Sequence, residues 1–318
     1  MPFAWIFAII VGATILLLAI YGATSFIRTA KYRYYTETAN EIKNYLNPLV
    51  TGVASAGSPP PIRFREETRT YVNCREPGYR NSFFGYQLIS FSEKSRLGTE
   101  WEDPGGNISV YNKYVFANNI EEGDTLYLAS LPFYTGFKVD DIITLNAGRY
   151  CFVQPPNAIE DKSIIFSNVN ITANMAQCKE DEIRVCFGNV FYEGCDMLVH
   201  GNDEEYRSGY VIKEDGSRVD YFENLVYGAI FSSPENYECN IKRLGIKISE
   251  LAYIYKEKID LAKVRGCNSI IGVYLSSIAQ EAAEIEDTEE LLQIYADAQS
   301  MDNENEKALC QIYTGEDY

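Results

Sequence analysis

Phe3–Ile27 reads FAWIFAIIVGATILLLAIYGATSFI, twenty-five residues without a charged side chain. A hydrocarbon core about 30 Å thick is spanned by about 20 apolar residues rising about 1.5 Å each, so this run is long enough to cross with some tilt. Trp5 stands near one end, with Tyr21 and Phe26 near the other, where interfacial aromatics concentrate. A cleaved signal peptide needs a basic leader, an apolar stretch of about 7–15 residues and a small-x-small cleavage site. Only Met1-Pro2 precedes this run, and the run is longer than that. A buried core helix is the third reading. The expectation is a retained signal anchor, a single-pass transmembrane helix whose partner is the lipid bilayer through residues 3–27.

The helical pattern continues past the apolar run. Ile42, Tyr45, Leu46 and Leu49 recur at i, i+3, i+4 and i+7, one face of a helix. Asn47-Pro48 should end it, because a residue before proline is pushed out of the α region. Residues 1–48 therefore read as one transmembrane and juxtamembrane helix of about 44 residues, roughly 66 Å long. Tyr32, Tyr34 and Tyr35 would mark the membrane interface. Residues 49–61, including VTGVASAGSPPP, are small and proline-rich and read as a linker.

Beyond the linker the chain divides by period. In 62–222 the segments Tyr86–Phe91, Ile108–Phe116, Leu126–Leu128, Tyr150–Val153 and Ile183–Phe187 are short, aromatic or β-branched, and bounded by turn residues. Asp215-Gly216 between Tyr210–Ile212 and Val219–Tyr221 is a hairpin signal. A short helix is expected over Asn157–Phe166. In 223–318 helical spacing takes over: Cys239, Leu244, Ile248, Leu251, Tyr255, Ile259 and Ala262 form one stripe ending at Gly266. Asn268–Ala283 and Thr288–Ala298 read as two more helices, with Asp287-Thr288 as a cap before Glu290, and a final turn lies around Lys307–Ile312. The fold class expected is α+β: a long N-terminal transmembrane helix, a Pro-rich linker, a β-rich domain, and a C-terminal helical region stapled to it by disulfides.

Cys74, Cys151, Cys178, Cys186, Cys195, Cys239, Cys267 and Cys310 all follow the anchor. An even count in a body outside the cytoplasm points to as many as four disulfides, although eight cysteines permit 105 pairings. Cys186 with Cys195 is a plausible local pair; Cys239, Cys267 and Cys310 could staple the helical part to itself or to the sheet. Buried free thiols in a cytosolic body are the alternative. Without C-x-x-C, and with His200 the sole histidine, a zinc centre lacks its usual ligands. Asn107-Ile108-Ser109 and Asn170-Ile171-Thr172 are glycosylation sequons, making Asn107 and Asn170 candidate acceptors.

Charge is uneven. Residues 1–50 hold Arg28, Lys31, Arg33 and Lys43 against Glu37 and Glu41, so of a net charge of −17 the remainder carries −19. A body that acidic repels phosphate backbones, which argues against nucleic acid as a partner. Sidedness is contested: Arg28, Lys31 and Arg33 just after the anchor favour a cytoplasmic body, whereas the cysteines favour an extracytoplasmic one. A basic leader ahead of Met1 would remove the conflict.

No motif announces chemistry. G-x-S-x-G, a P-loop, G-x-G-x-x-G in strand–helix context and H-E-x-x-H do not occur. A triad would have to use His200, which reads instead as a lone histidine at a strand end. A carboxylate-dependent hydrolase needs only two placed acids, which composition does not select. The acidic clusters 202–205 and 302–306 lack EF-hand spacing and read as solvated loops rather than calcium sites. No catalytic, cofactor or metal residue is nominated, and no enzymatic activity or cofactor is expected.

Pro2–Gly12 followed by Ile15–Tyr21, Thr38-Ala39-Asn40-Glu41-Ile42 with Leu46-Asn47-Pro48-Leu49, and Ala229–Ser232 with Tyr237–Leu244 resemble a group of uncharacterised membrane-anchored surface proteins of small-genome (DPANN-type) archaea. The resemblance is patchy, touches both ends of the chain and implies no known activity. It implies an N-terminal helix similar to that of archaeal type IV pilins, although this run has no acidic residue early in it. The expected role is non-enzymatic binding or scaffolding of a protein partner at the cell surface. The alternatives are a pilin-like filament or secretion-system subunit that self-associates through its helix, and a cell-envelope hydrolase.

Overall fold

The computed structural model describes residues 3–50, 59–95, 100–189, 193–267, 269–308 and 310–313, with 47–50 described by backbone alone. Most of the linker expected over 49–61 falls outside the described residues. Helix α1 runs over Phe3–Val50. It passes the expected stop at Asn47-Pro48 by one short step, since a proline in the last turn removes a single ladder bond. None of the apolar stretch is covered by the rest of the chain.

The upper part of α1 is a core element. Tyr35, Ala39, Ile42 and Leu46, spaced i, i+4, i+7 and i+11, are buried against the first sheet. This corrects two expectations. Tyr45 is 55% exposed and lies off the packing face. Tyr35 is a core residue rather than an interfacial one, while Tyr32 and Tyr34 are exposed. The apolar stripe is tilted because a helix drifts relative to a strict seven-residue repeat, and the residue that fits the sheet is Tyr35, one turn below Ala39.

The first sheet holds β1 (Ile62–Arg75), β2 (Tyr86–Glu93), β3 (Ile108–Val110), β4 (Tyr114–Phe116), β5 (Ile120–Tyr134) and β6 (Lys138–Asn146), in the order β3-β2-β1-β5-β6-β4. All its pairs are antiparallel except β4 with β6. The single strand expected over Ile108–Phe116 is two: Asn112 takes a left-handed φ of 52° and breaks it, and its halves go to opposite edges of the sheet. Strand β5 is far longer than Leu126–Leu128. Glu121, Glu122, Gly123 and Asp124 hide its start in the sequence; its buried side chains alternate only in the second half, in one phase at Leu126 and Leu128 and in the other at Ala129, Leu131 and Phe133. Helix α1 touches β3, β2, β5 and β6. Eleven residues from Tyr35 to Leu46 advance about 16 Å, about the span of three strand spacings of 4.8 Å. The helix therefore crosses the strands, and β3 is the edge nearest the point where it leaves the body.

The second sheet holds β7 (Arg149–Val153), β8 (Val169–Thr172), β9 (Glu182–Phe187), β10 (Met197–Gly201), β11 (Ser208–Ile212) and β12 (Arg218–Phe222), in the order β12-β11-β10-β9-β7-β8. Strands β8, β7, β9 and β10 are mutually parallel, and α2 (Asn157–Ser163) links β7 to β8. The predicted hairpin forms as β11 and β12, with Ile212 opposite Arg218. The helical region is α3 (Leu225–Phe231), α4 (Pro234–Lys263), α5 (Gly272–Ala283) and α6 (Leu291–Lys307). Asp287 caps as expected, in a capping box with Glu290 that opens the last helical segment. The cluster Asp302–Glu306, expected as a loop, lies in α6; Asn305 is buried there and accepts from the Ile312 N–H at 2.9 Å.

One large core joins the far face of the first sheet, the second sheet and α3–α6. Every residue of α3 is buried. Four disulfides close around it: Cys74–Cys239, Cys151–Cys178, Cys186–Cys195 and Cys267–Cys310. The first ties β1 to α4, the second ties β7 to the loop before β9, the third ties β9 to the loop before β10, and the fourth joins the segment after α4 to the segment after α6.

Buried polar groups fasten α4. Asn236 Nδ2 donates to Val72 O and Ala117 O at 2.9 and 3.1 Å, and Asn240 Nδ2 donates to Val115 O at 2.9 Å. Arg243, fully buried, donates to Phe84 O and Asn240 Oδ1 and lies 4.9 Å over the Tyr114 ring. Spaced i, i+4, i+7, these three hold carbonyls of β1, β4 and the segments beside β4 and β2, and Val115 O also accepts from Gln87 Nε2.

Lys213, between β11 and β12, is buried with its ammonium on Ile230 O at 2.9 Å, and burial lowers its pKa from 10.5 to about 7. The unfolded chain keeps the higher value, so the folded state is penalised most at and below pH 7, and the penalty fades as pH rises toward 10.5. Lys213→Met is expected to raise unfolding free energy near pH 7 on the order of 2 kcal/mol, net of one lost hydrogen bond. Urea titrations at pH 7 and pH 10 check this; a gain that does not shrink at pH 10 counts against it.

Candidate functional site

Two places combine shape with chemistry. The first is the seam where α1 leaves the body. Arg28 pairs with Asp103 at 2.5 Å, Lys31 pairs with Glu102, and Tyr35 donates to Glu102 Oε2 at 3.0 Å. Gly106 N–H donates to Thr36 Oγ1 at 3.0 Å, and a Cβ on Gly105 would come within 2.6 Å of Tyr35 Cβ, so the loop approaches the helix as only glycine allows. Trp101 stands beside the seam under the Arg69 guanidinium, 4.2 Å from its ring centre. The groove along this seam has a volume of about 780 Å³.

The second is a cleft where the β5–β6 turn, the β10–β11 loop, the β12–α3 junction and α6 meet. Its main chamber is about 350 Å³, within the range of small-molecule sites, and an adjoining pocket of about 150 Å³ shares Arg207 and Glu223 with it. Glu223 follows the last residue of β12. Burial pushes its carboxyl above the usual range, against the pull of Lys162 and Arg207. Gln299 Nε2 donates to the Tyr295 hydroxyl at 2.8 Å, and that hydroxyl reaches Glu223 Oε1 at 3.4 Å. Tyr295 itself stacks on Phe222 at 5.2 Å. On the other side Lys162 donates to Asn224 Oδ1 at 2.9 Å, and Asn224 donates to Pro132 O at 2.7 Å. Gly136, with φ 80°, lets the β5–β6 turn abut α6, where a Cβ would meet Met301 Cε at 2.4 Å.

Two of the six non-glycine residues with left-handed φ among the described residues lie here. Tyr206 and Glu223 both adopt left-handed φ, 55° and 48°, although neither is glycine. Such residues cost of order 1–3 kcal/mol each and persist where the surrounding structure over-determines them. The Glu223 N–H donating to Arg207 O at 2.6 Å holds the two strained segments together.

The cysteines named from the sequence come together in pairs, and among the described residues none is free. Cys151, Cys178 and Glu182 group like metal ligands, but both sulfurs are spent in a disulfide. His200 lies in β10, stacked on Tyr210 at 4.6 Å, with Nδ1 buried and unpartnered. The sequence reading did not find the cleft: Lys162, Arg207, Glu223 and Tyr295 lie far apart in the chain and form no motif. Its only linear trace is an acid placed immediately after a strand end.

The two sequons differ. Asn107 is exposed just before β3, whereas Asn170 lies half-buried in β8, with its amide 3.4 Å from Glu182 Oε2. In a host that glycosylates exported sequons, Asn107 is expected to carry glycan and Asn170 to remain bare, read by peptide mass. A glycan confined to Asn170 would contradict this. No family model, curated protein or solved structure matches this chain.

Proposed function

We propose that the protein is a single-pass membrane protein of the cell surface, anchored by residues 3–27, whose extracytoplasmic body holds a binding cleft. The observation that carries this reading is the division of one continuous helix. Its apolar stretch has no protein cover, while Tyr35, Ala39, Ile42 and Leu46 belong to the core of the body. Uncovered apolar surface on that scale calls for another apolar solvent. The helix is then a mast fixed to the body rather than a tether, because Tyr35, Ala39, Ile42 and Leu46 pack in the body's core, with the Arg28–Asp103 and Lys31–Glu102 pairs at the point where the helix leaves. Those pairs also neutralise two of the three cations that argue for a cytoplasmic body. The disulfides support an oxidising compartment.

Protease shaving of intact cells tests sidedness. The body should be digested while a fragment containing residues 3–27 stays in the membrane through an alkaline carbonate wash. Alkylation without reductant should label no cysteine. A protected body with eight reactive thiols overturns the reading.

A second reading rests on the same helix. An apolar half projecting from a sheet-packed half is also what a pilin-like subunit needs to bundle with its copies. Filaments in shear fractions would favour it; monodisperse detergent-solubilised protein favours the surface receptor.

A further inference from the structure

We propose that the cleft bounded by Thr135, Arg207, Glu223, Tyr295 and Gln299 binds a neutral sugar. The inference rests on reading the body as a surface-exposed binding head, and it names that head's ligand class.

The charge pattern of the cleft disfavours ionic ligands. Its cations are already engaged: Arg207 pairs with Glu205, and Lys162 donates to Asn224. An anion would have to displace those partners and approach a body of strongly negative charge. A cation would meet Arg207 and Lys162 beside Glu223, and the second half-buried carboxyl of the chamber, Asp302, already accepts from the Tyr313 hydroxyl at 2.7 Å. What remains on the walls is a mixture of donors and acceptors. Gln299, the Tyr295 hydroxyl and Glu223 form a continuous hydrogen-bonded chain along one side. Such a chain can turn its protons toward a ligand that both donates and accepts at every hydroxyl.

The floor supplies an independent observation. Thr135 is 1% exposed, lines the cleft, and its hydroxyl has no hydrogen-bond partner. A buried unpaired hydroxyl costs free energy that a ligand hydroxyl would recover once the Thr135 side chain turns toward the chamber. Tyr134 and Tyr295 give the chamber aromatic surface, on which the C–H faces of a pyranose pack. A chamber of about 350 Å³ sits at the small end of ligand sites, which suits a mono- or disaccharide end rather than a polymer groove.

The test uses the full chain in detergent on a printed array of neutral, acidic and amino glycans. Isothermal titration follows with maltose, lactose and N,N′-diacetylchitobiose, and with inorganic phosphate and putrescine as ionic probes. Neutral glycans should be retained. Tyr295→Phe and Gln299→Ala should each weaken the best of them about tenfold while leaving far-ultraviolet dichroism and cooperative unfolding intact. Retention of no neutral glycan overturns the proposal, as does tighter binding of phosphate or putrescine, or sugar binding indifferent to both variants. Shaving reports sidedness separately, so an extracytoplasmic body that ignores sugars defeats this inference alone.

Discussion

Replacing Cys74 and Cys239 together by alanine is expected to lower the unfolding free energy of the body by about 5 kcal/mol. The bridge spans 165 residues of sequence, and the chain-entropy cost of closing a loop of that length in the unfolded state is about that large. The location adds to the effect. This disulfide fixes β1 against the first turns of α4, where Asn236 accepts from the Cys74 N–H at 3.0 Å and Asn240 and Arg243 continue the buried polar seam. Releasing the covalent tie lets water compete for those groups. The comparison that isolates loop length is Cys186–Cys195, which spans 9 residues and should cost about half as much. Urea unfolding of both alanine pairs measures the difference. Equal losses from the two would mean that local packing, not chain closure, sets the contribution of each bridge.

Leu46→Asp is expected to undock the upper part of α1 at a cost of at least about 4 kcal/mol. Leu46 has no exposed surface, and its neighbours in the core cluster are apolar side chains such as Leu126 and Leu145. A carboxylate there has no cation to pair with in that cluster, so the helix leaves the sheet before the charge is buried. Leu46→Ala should keep the helix docked and cost about 2–5 kcal/mol as a cavity. The informative control is Tyr45→Asp, one residue away on the exposed side, which should change stability by less than about 0.5 kcal/mol. Amide hydrogen exchange over residues 35–46 reads the outcome. Protection lost in Leu46→Asp and kept in Tyr45→Asp supports a helix that is part of the body. Equal behaviour of the two would restore the picture of a free tether ahead of an independent domain.

The difference between mast and tether is functional. A helix crossing the first sheet and pinned by Arg28, Lys31 and Tyr35 to the loop before β3 fixes the body's attitude to the apolar stretch. The cleft around Glu223 is built from the second sheet, α6 and the tip of the β5–β6 hairpin, the parts joined through the large core. On the proposed reading, a ligand bound there would be held at a set height and orientation rather than at the end of a flexible lead.

The sequence by itself determined what depends on short-range regularity. An uncharged run of twenty-five residues is a local property, and so are the Asp215-Gly216 hairpin, the capping box at Asp287 and the shift from strands to helices near residue 223. It also showed that eight cysteines follow the apolar run, but not that Cys74 reaches Cys239 across more than half the chain. Tertiary structure decided everything that depends on which surface a residue meets. It turned Tyr35 inward and Tyr45 outward, split Ile108–Phe116 between two sheet edges at Asn112, and gave four strands a parallel order. It also gathered Lys162, Arg207, Glu223 and Tyr295 into one cleft. The physical reason is that hydrogen bonds within a turn or a helix are fixed by a few neighbouring residues, whereas burial, strand partners and side-chain clusters are fixed by segments that only the folded chain brings together.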